Sequence, residues 1–321
     1  MRLLSSFLSF TLVLAAQAPK TQAPKAQPPA QSDDGNVIRV DTRLVVLPVS
    51  VSDRNGKLVI DLPRQAFHVF ENGAEQAIKV FHREDVPISL GIIIDNSGSM
   101  RTKRHKVELA SLDLVKNSNP RDEVFIVNFN DEAYLDVPFT NDMKQLEEGV
   151  ARLDSRGGTA MRDAISMSMD YLKEKGKKDK KVILVVTDGN DTASSGTLEK
   201  LIMKARQSQD VAIYAIGLLD EEDKREAKKA KRALEAITHE SGGLSFYPKD
   251  TSEVERICLQ VAQEIRNQYT IAYSPTDTAL DGSYRQVKVT VKGPGTPMVR
   301  TRAGYYATPE SASGKKTASV R

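Results

Sequence analysis

Four short, largely apolar runs, each followed by a helical stretch, decide what this chain can fold into. The runs are 89–95, 124–129, 181–187 and 211–216, and such runs are typical of parallel strands that are buried on both faces. The helical stretches that follow or separate them are Met100–Lys116, Met143–Leu153, Arg162–Glu174, Leu198–Gln207 and Lys224–Ser241. The alternation predicts an α/β fold with a doubly wound, mostly parallel sheet.

Oxygen-bearing side chains follow the first run, where the strand gives way to a helix. Asp95 ends the run, and Ser97 and Ser99 follow it at alternate positions. Open α/β sheets place their ligand sites at the carboxyl ends of the strands. One carboxylate and two hydroxyls are hard oxygen donors, so they suit a cation such as Mg²⁺ that keeps several of its water ligands.

Two later loops supply further donors: a hydroxyl from Thr159, after the glycine turn 157–158, and a carboxylate from Asp188, after the run 181–187. In this order the three loops resemble the metal-ion-dependent adhesion site of the von Willebrand factor type A domain. That family's pattern is Asp-x-Ser-x-Ser, then a Thr, then an Asp. The matching positions are Asp95, Ser97, Ser99, Thr159 and Asp188. The resemblance covers about residues 87–268, and the whole arrangement also resembles the von Willebrand factor A-related proteins of acidobacteria.

The resemblance implies a Rossmann-like domain that binds a partner and is not an enzyme. The five residues would hold Mg²⁺ directly or through water, and Mn²⁺ or Ca²⁺ would suit the same oxygens. One coordination position would stay open for an Asp or Glu carboxylate of a partner protein. The net charge of +3 is too small to indicate a nucleic acid partner.

Ordinary structural roles compete with these assignments. Asp95, Ser97, Ser99 and Thr159 are all residue types that cap helices, and Asp191 is interpreted as a turn residue and not as a ligand. A basic stretch, 101–106, opens the helix after the first loop. Either it is an exposed first turn, or Lys103 and Arg104 form a basic rim that attracts an acidic ligand.

Two outer segments have a different pattern from the centre. Alternating apolar residues at 45–51, the turns Asn55-Gly56 and Asn72-Gly73, and the stretches 269–273, 286–291 and 299–302 predict antiparallel strands. Neither segment has enough strands to fold alone. We therefore expect them to pair in one small β-sandwich-like domain, with two independent hairpins on the central domain as the alternative.

The predicted domain boundaries follow from these patterns. Residues 1–18 have the charged start, apolar core and small residues of a secretory signal peptide, with cleavage after Ala18, Ala16 or Ala15. The rest divides into a flexible linker (19–36), the N-terminal segment of the β-domain (37–85), the α/β domain (86–267), the C-terminal segment of the β-domain (268–307) and a disordered tail (308–321). We expect an exported, periplasmic or extracellular protein without a transmembrane segment after signal removal. Cys258 is the only cysteine, and it is expected to pack in the protein core as part of the apolar face of a helix.

Three other functions compete with metal-mediated binding. A structural envelope protein would use the metal only to stabilise its fold. A hydrolase with a serine nucleophile would need a base in reach, and the four histidines, at 68, 82, 105 and 239, lie outside the loops after the later strands. A metal-dependent phosphohydrolase would need more carboxylates than Asp95 and Asp188.

Overall fold

The computed structural model describes residues 44–83, 85–151, 155–208, 210–219, 223–293 and 296–309. The predicted signal peptide, the linker and nearly all of the predicted tail lie outside these residues. By its internal contacts, the chain from Thr42 onward forms one compact unit. The predicted boundaries between the α/β and β domains therefore stay predictions.

The strands of the described residues are β1 (Val45–Ser52), β2 (Phe67–Glu71), β3 (Ala74–Gln76), β4 (Ile78–His82), β5 (Ile88–Asp95), β6 (Glu123–Phe129), β7 (Ala133–Thr140), β8 (Lys180–Thr187), β9 (Val211–Gly217), β10 (Ser245–Phe246), β11 (Tyr269–Tyr273), β12 (Tyr284–Val291), β13 (Met298–Arg300) and β14 (Gly304–Tyr306). The helices are α1 (Arg104–Lys116), α2 (Met143–Ala151), α3 (Met161–Lys175), α4 (Leu198–Gln207), α5 (Lys224–Ser241) and α6 (Val254–Arg266).

The central sheet has the order β10-β9-β8-β5-β6-β7. Its strands run parallel except for β7, which pairs antiparallel with β6 at the edge. One face packs against α1, α2 and α6, and the other packs against α3, α4 and α5. Because β5 is buried along its whole length, its continuous apolar run is what a strand covered by helices on both faces requires. The doubly wound fold is confirmed.

The outer segments form two four-stranded sheets, β13-β1-β11-β4 and β14-β12-β2-β3. Their pairs are antiparallel, and each sheet combines strands from before and after the central sheet. Asn72 and Gly73 join β2 to β3 with positive φ angles of 48° and 85°, as the favoured two-residue hairpin turn requires. The expected pairing of the two segments is therefore confirmed, whereas β14 was not predicted.

A buried polar network joins the α/β region to the strands of the outer sheets. Glu264 on α6 accepts hydrogen bonds from Ser50 on β1 at 3.1 Å and from Tyr214 on β9 at 3.0 Å. It also pairs with Arg300 on β13, and Gln268 donates to the same Ser50 and Tyr214 oxygens.

The expected core position of Cys258 is confirmed, since this thiol is fully buried. Burial raises the pKa of the thiol to about 12.

Candidate functional site

The site lies where three neighbouring parallel strands end. Strand β5 lies between β6 and β8, and Ile94 is opposite Val186 in the register of β5 and β8. Asp95, the last residue of β5, therefore lies beside the end of β8, and Asp188 follows directly after β8. Residues far apart in sequence thus reach the same edge because the strands are parallel.

Asp95 is fully buried at this edge. Its Oδ1 accepts a hydrogen bond from the Ser97 amide at 2.8 Å, and its Oδ2 accepts one from the Thr187 hydroxyl at 2.6 Å. Burial raises the pKa of Asp95, and the negative charge of Asp188 raises it further, while the bonds from Thr187 and Ser97 act in the opposite direction. The carboxylate is thus held firmly, yet burial disfavours its charge.

The two serines connect the first loop to Asp188. The Ser97 and Ser99 hydroxyl oxygens are 3.1 Å apart, and Ser99 Oγ donates to Asp188 Oδ1 at 2.8 Å. Thr159 is buried beside them, with its hydroxyl oxygen 4.0 Å from the position that a Cβ on Gly189 would occupy. The structure therefore brings Asp95, Ser97, Ser99 and Asp188 into one bonded cluster, with Thr159 at its border.

Backbone contacts fix the loop that carries Thr159. The Gly98 amide donates to the Gly157 carbonyl at 3.2 Å, which joins the first loop to the glycine turn. The Thr159 carbonyl accepts from the amides of Thr192 and Ala193, and its own amide donates to the Thr192 hydroxyl at 3.1 Å. The hydroxyl of Thr159 is consequently presented by a loop that is tied to both of the others.

Asp131 is a component of this edge that the sequence did not reveal. It follows β6, and its Oδ1 accepts a hydrogen bond from the Gly158 amide at 2.7 Å. Gly157 has a φ of +76°, and a Cβ there would lie only 2.2 Å from Asp131 Oδ2. The two glycines therefore allow this carboxylate to approach the turn, and the Gly-Gly pair was the available signal.

Asp191 has the structural role expected of it. Its Oδ2 accepts from the Arg162 amide at 2.7 Å, at the start of α3, and its Oδ1 pairs with the Arg162 guanidinium at 2.9 Å. It also accepts from the amide and hydroxyl of Ser194. These contacts engage both of its oxygens, one set within the third loop and the other at the start of α3, as a structural residue of the loop requires.

The basic stretch after the first loop does not form a uniform rim. Arg104 is only 5% exposed, and its guanidinium donates to Glu108 Oε1, Asn128 Oδ1 and the carbonyls of Asp95 and Val150. Lys103 extends to Asp188, where its Nζ donates to Oδ2 at 2.8 Å. The basic-rim hypothesis is therefore wrong for Arg104, which braces the first loop from inside.

Replacing Arg104 with methionine is expected to lower the free energy of unfolding by about 2–3 kcal/mol, because Asn128 and two buried carbonyls lose their donor. Urea unfolding followed by circular dichroism measures the change. Arg101→Met is the control, since Arg101 is exposed and makes one 3.3 Å bond to the Ser155 carbonyl. Equal, small losses in both variants would show that the buried guanidinium does not brace the loop.

The donor set fits a small divalent cation. Two buried carboxylates and three hydroxyls are gathered at one edge, and the repulsion between Asp95 and Asp188 is of the kind that a bound cation relieves. Within the described residues, no group of three or more Asp, Glu, His or Cys side chains is placed so that it could hold a metal ion. The ligand set is therefore rich in hydroxyls and low in negative charge. A hard cation that keeps some of its water ligands can bind such a set.

Comparisons with known proteins found a match to one family model over part of the chain, and solved structures of similar fold with low sequence identity. Residues 90–190 match the model of the von Willebrand factor type A domain, and this stretch contains all five predicted ligands. None of the curated proteins matches the sequence.

Three solved structures illustrate the structural matches. An aerotolerance-related membrane protein from Bacteroides fragilis is 18% identical, with 56% of this chain and 98% of that chain covered and a TM-score of 0.45. The von Willebrand factor domain of a type V pilus tip protein from Porphyromonas gingivalis is 13% identical, with 56% and 95% covered and a TM-score of 0.45. Proximal thread matrix protein 1 from the mussel byssus, with a zinc-occupied metal-ion-dependent adhesion motif, is 16% identical, with 61% and 50% covered and a TM-score of 0.49.

Proposed function

We propose that this chain is an exported binding protein that holds a partner protein through a divalent metal ion. The observation that carries the proposal is the bonded cluster of Asp95, Ser97, Ser99 and Asp188, with Thr159 beside it, at the carboxyl ends of β5 and β8. The match of residues 90–190 to the von Willebrand factor type A domain supports an interaction role for this edge.

The charge of the ligand set supports a carboxylate as the partner's contribution. Asp95 and Asp188 are the two acids in the proposed set, and the other three ligands are neutral hydroxyls. A dication held in this way keeps its attraction for one more anion, and the metal supplies that attraction at an open coordination position. An Asp or Glu side chain of a partner protein has the charge and the hard oxygen that this position needs.

Mg²⁺ is the ion that we propose, because hydroxyls and carboxylates with retained waters suit it best. Mn²⁺ and Ca²⁺ accept the same oxygens and are the alternatives. Zinc occupies the corresponding motif of the mussel protein, so the binding measurement should include Zn²⁺. Nucleic acid is not proposed as a partner, since the net charge is only +3.

Export is proposed from the sequence of residues 1–18, which has the pattern of a signal peptide. The destination would be the periplasm or the exterior. Within the described residues, the structure has no helix that is long and apolar enough to cross a membrane.

A structural envelope protein whose metal only stabilises the fold is the second candidate. It is favoured by the buried carboxylates of Asp95 and Asp188, since a bound cation would relieve their repulsion and so stabilise the fold. Melting curves with and without EDTA, measured beside binding with and without EDTA, separate the two functions. A metal that raises the melting temperature and leaves partner binding unchanged would favour the structural role.

Enzymatic activity has less support. The Ser97 and Ser99 hydroxyls are engaged with each other and with Asp188, while His105 and His239 are 82% and 75% exposed on helices. Assays of phosphate esters with and without Mg²⁺ test the hydrolase alternatives. Turnover that disappears in an Asp95→Ala variant would revive them.

Asp188→Ala is expected to lower Mg²⁺ affinity by about 100-fold or more, because losing an outer-shell partner alone costs about 10- to 100-fold, while the domain still folds. The physical reason is that Asp188 supplies one of the two negative charges of the ligand set. Isothermal titration calorimetry measures the affinity, and circular dichroism checks the fold. Full Mg²⁺ affinity in a folded Asp188→Ala protein would contradict the metal assignment.

The partner can be sought by affinity capture from an envelope extract of the producing cells, with elution by EDTA. Asp188→Ala protein on a parallel column is the matched control. A defined probe complements the capture: a blocked Gly-Asp-Gly peptide added to the Mn²⁺-loaded protein should displace metal-bound water and lower the proton relaxation rate. The Gly-Asn-Gly peptide should not. Equal effects of the two peptides would contradict recognition of a carboxylate.

A further inference from the structure

Lys103 reaches the proposed metal ligands from the start of α1. Its Nζ donates to Asp188 Oδ2 at 2.8 Å and to the Leu218 carbonyl at 3.3 Å. Ser99 donates to the other oxygen of the same carboxylate, Oδ1, at 2.8 Å. The ammonium group therefore occupies the oxygen of Asp188 that the serine leaves available.

In the ion pair of Lys103 with Asp188, the carboxylate is shielded from water. The Asp188 side chain is 1% exposed, and that of Lys103 is 24% exposed. Charges in such surroundings interact more strongly than charges on an open surface, because less solvent screens them. Lys103 must therefore influence any charged group that binds at this edge.

Neighbouring basic side chains do not share this role. Arg101 is exposed and bonds to the Ser155 carbonyl, and Arg104 is directed inward to Glu108 and Asn128. Lys106 is exposed on α1. Among the described residues, Lys103 is the basic side chain that forms an ion pair with a predicted metal ligand.

We propose that Lys103 makes the site selective for a carboxylate by keeping a net positive charge on it when a dication is bound. The inference rests on the proposed function. Asp95, Asp188 and Lys103 together give the site one net negative charge, so a dication changes the total to one net positive charge. One carboxylate neutralises that charge, whereas without Lys103 the loaded site would already be neutral.

The same ammonium opposes the metal. It competes for Asp188 and repels a second cation, so Lys103 lowers metal affinity while it raises affinity for the anionic ligand. In the metal-free protein it also acts as the counter-charge of Asp188. A residue that only stabilised the fold would not change the two affinities in opposite directions.

Lys103→Met tests the proposal, with Lys106→Met as the control that removes the same charge from the exposed side of α1. Calorimetry with Mg²⁺ alone should show roughly tenfold tighter binding by Lys103→Met. Relaxation measurements on the Mn²⁺-loaded protein should show roughly tenfold weaker binding of the Gly-Asp-Gly peptide. In EDTA, Lys103→Met should also melt at a lower temperature than the wild-type protein. Added Mg²⁺ should raise its melting temperature by more than it raises that of the wild-type protein.

Lys103→Gln keeps a hydrogen-bond donor for Asp188 without the charge, and it should give the same two shifts if Lys103→Met does not fold. Wild-type protein that fails to bind Mg²⁺ would overturn the proposed function itself. A different result would overturn only the role of Lys103. In that result the wild-type protein binds Mg²⁺ and the peptide, and the two affinities of the Lys103 variants stay unchanged or fall together.

Discussion

Asp95→Asn is expected to weaken Mg²⁺ binding by about 100-fold or more, since losing an outer-shell partner alone costs about 10- to 100-fold, and to raise the melting temperature of the protein in EDTA. The loss of affinity follows from the removal of a buried negative charge at the centre of the proposed ligand set. Asparagine has nearly the same shape, and its amide oxygen can still accept the 2.8 Å bond from the Ser97 amide. The fold should therefore tolerate the change.

The gain in stability follows from the pKa of Asp95, which burial raises above its ordinary value of 3.8. An acid with a raised pKa binds its proton more tightly in the folded protein than in the unfolded chain. As the pH rises from 3.8 through the raised pKa, the chelated wild-type protein therefore loses stability. Asparagine has no such loss, so the difference in melting temperature should grow over this range and then stay constant.

Melting curves in EDTA at several pH values, beside Mg²⁺ titrations at neutral pH, measure both effects. Each kcal/mol gained should raise the melting temperature by about 2–4 °C. Asp131→Asn is the matched control, because Asp131 is an exposed carboxylate at the same edge and outside the proposed ligand set. Wild-type Mg²⁺ affinity in Asp95→Asn would refute the site, and a lower melting temperature in EDTA would refute the account of its burial.

Glu264→Ala is expected to lower the free energy of unfolding by about 3–5 kcal/mol, the usual cost of removing one member of a buried ion pair. Glu264 is 3% exposed, and its carboxylate accepts from Ser50 and Tyr214 and pairs with Arg300. Without it, three groups at the junction of α6, β1, β9 and β13 lose their acceptor. Urea unfolding followed by circular dichroism measures the loss.

Glu235→Ala is the control for this prediction. Glu235 and Lys231 are about half exposed on α5 and lie 3.9 Å apart, so losing this pair should cost less than about 0.5 kcal/mol. Mg²⁺ affinity should be unchanged in folded Glu264→Ala protein, because Glu264 lies far from the first metal loop. The carboxyl end of α6 contacts the carboxyl end of α1, where Arg266 donates to the Asn117 carbonyl. The first metal loop, with Ser97 and Ser99, instead precedes the start of α1. A loss below about 1 kcal/mol, far under the usual cost, would show that the network does not hold the α/β region and the outer sheets together.

Much of the fold and of the candidate site is predictable from the sequence because both depend on local patterns. Strand β5 lies between two parallel strands and under helices on both faces, so it must be apolar throughout. Asp95, Ser97, Ser99 and Asp188 follow β5 and β8, and strands that run parallel bring their carboxyl ends to one edge. Helix α4, helix α5 and strand β11 have the predicted bounds.

The roles of neighbouring residues of the same type could not be read in this way. Lys103 and Arg104 belong to one basic stretch, yet one reaches Asp188 and the other is buried against Asn128 and Val150. A helix turns about 100° per residue, so adjacent side chains point to different surroundings. Which surroundings those are depends on the positions of β6, α2 and the third loop.

The sequence by itself determined the parallel sheet, the antiparallel strands of the two outer segments and the oxygen donors after the strands of the central sheet, since each is encoded within a few neighbouring residues. Only the tertiary structure decided how the outer segments interleave, that Lys103 pairs with Asp188, and that Asp131 borders the glycine turn. These contacts join residues that are distant in the chain, such as Ser50 and Glu264, which are 214 positions apart. Their geometry exists only once the sheet and helices have packed.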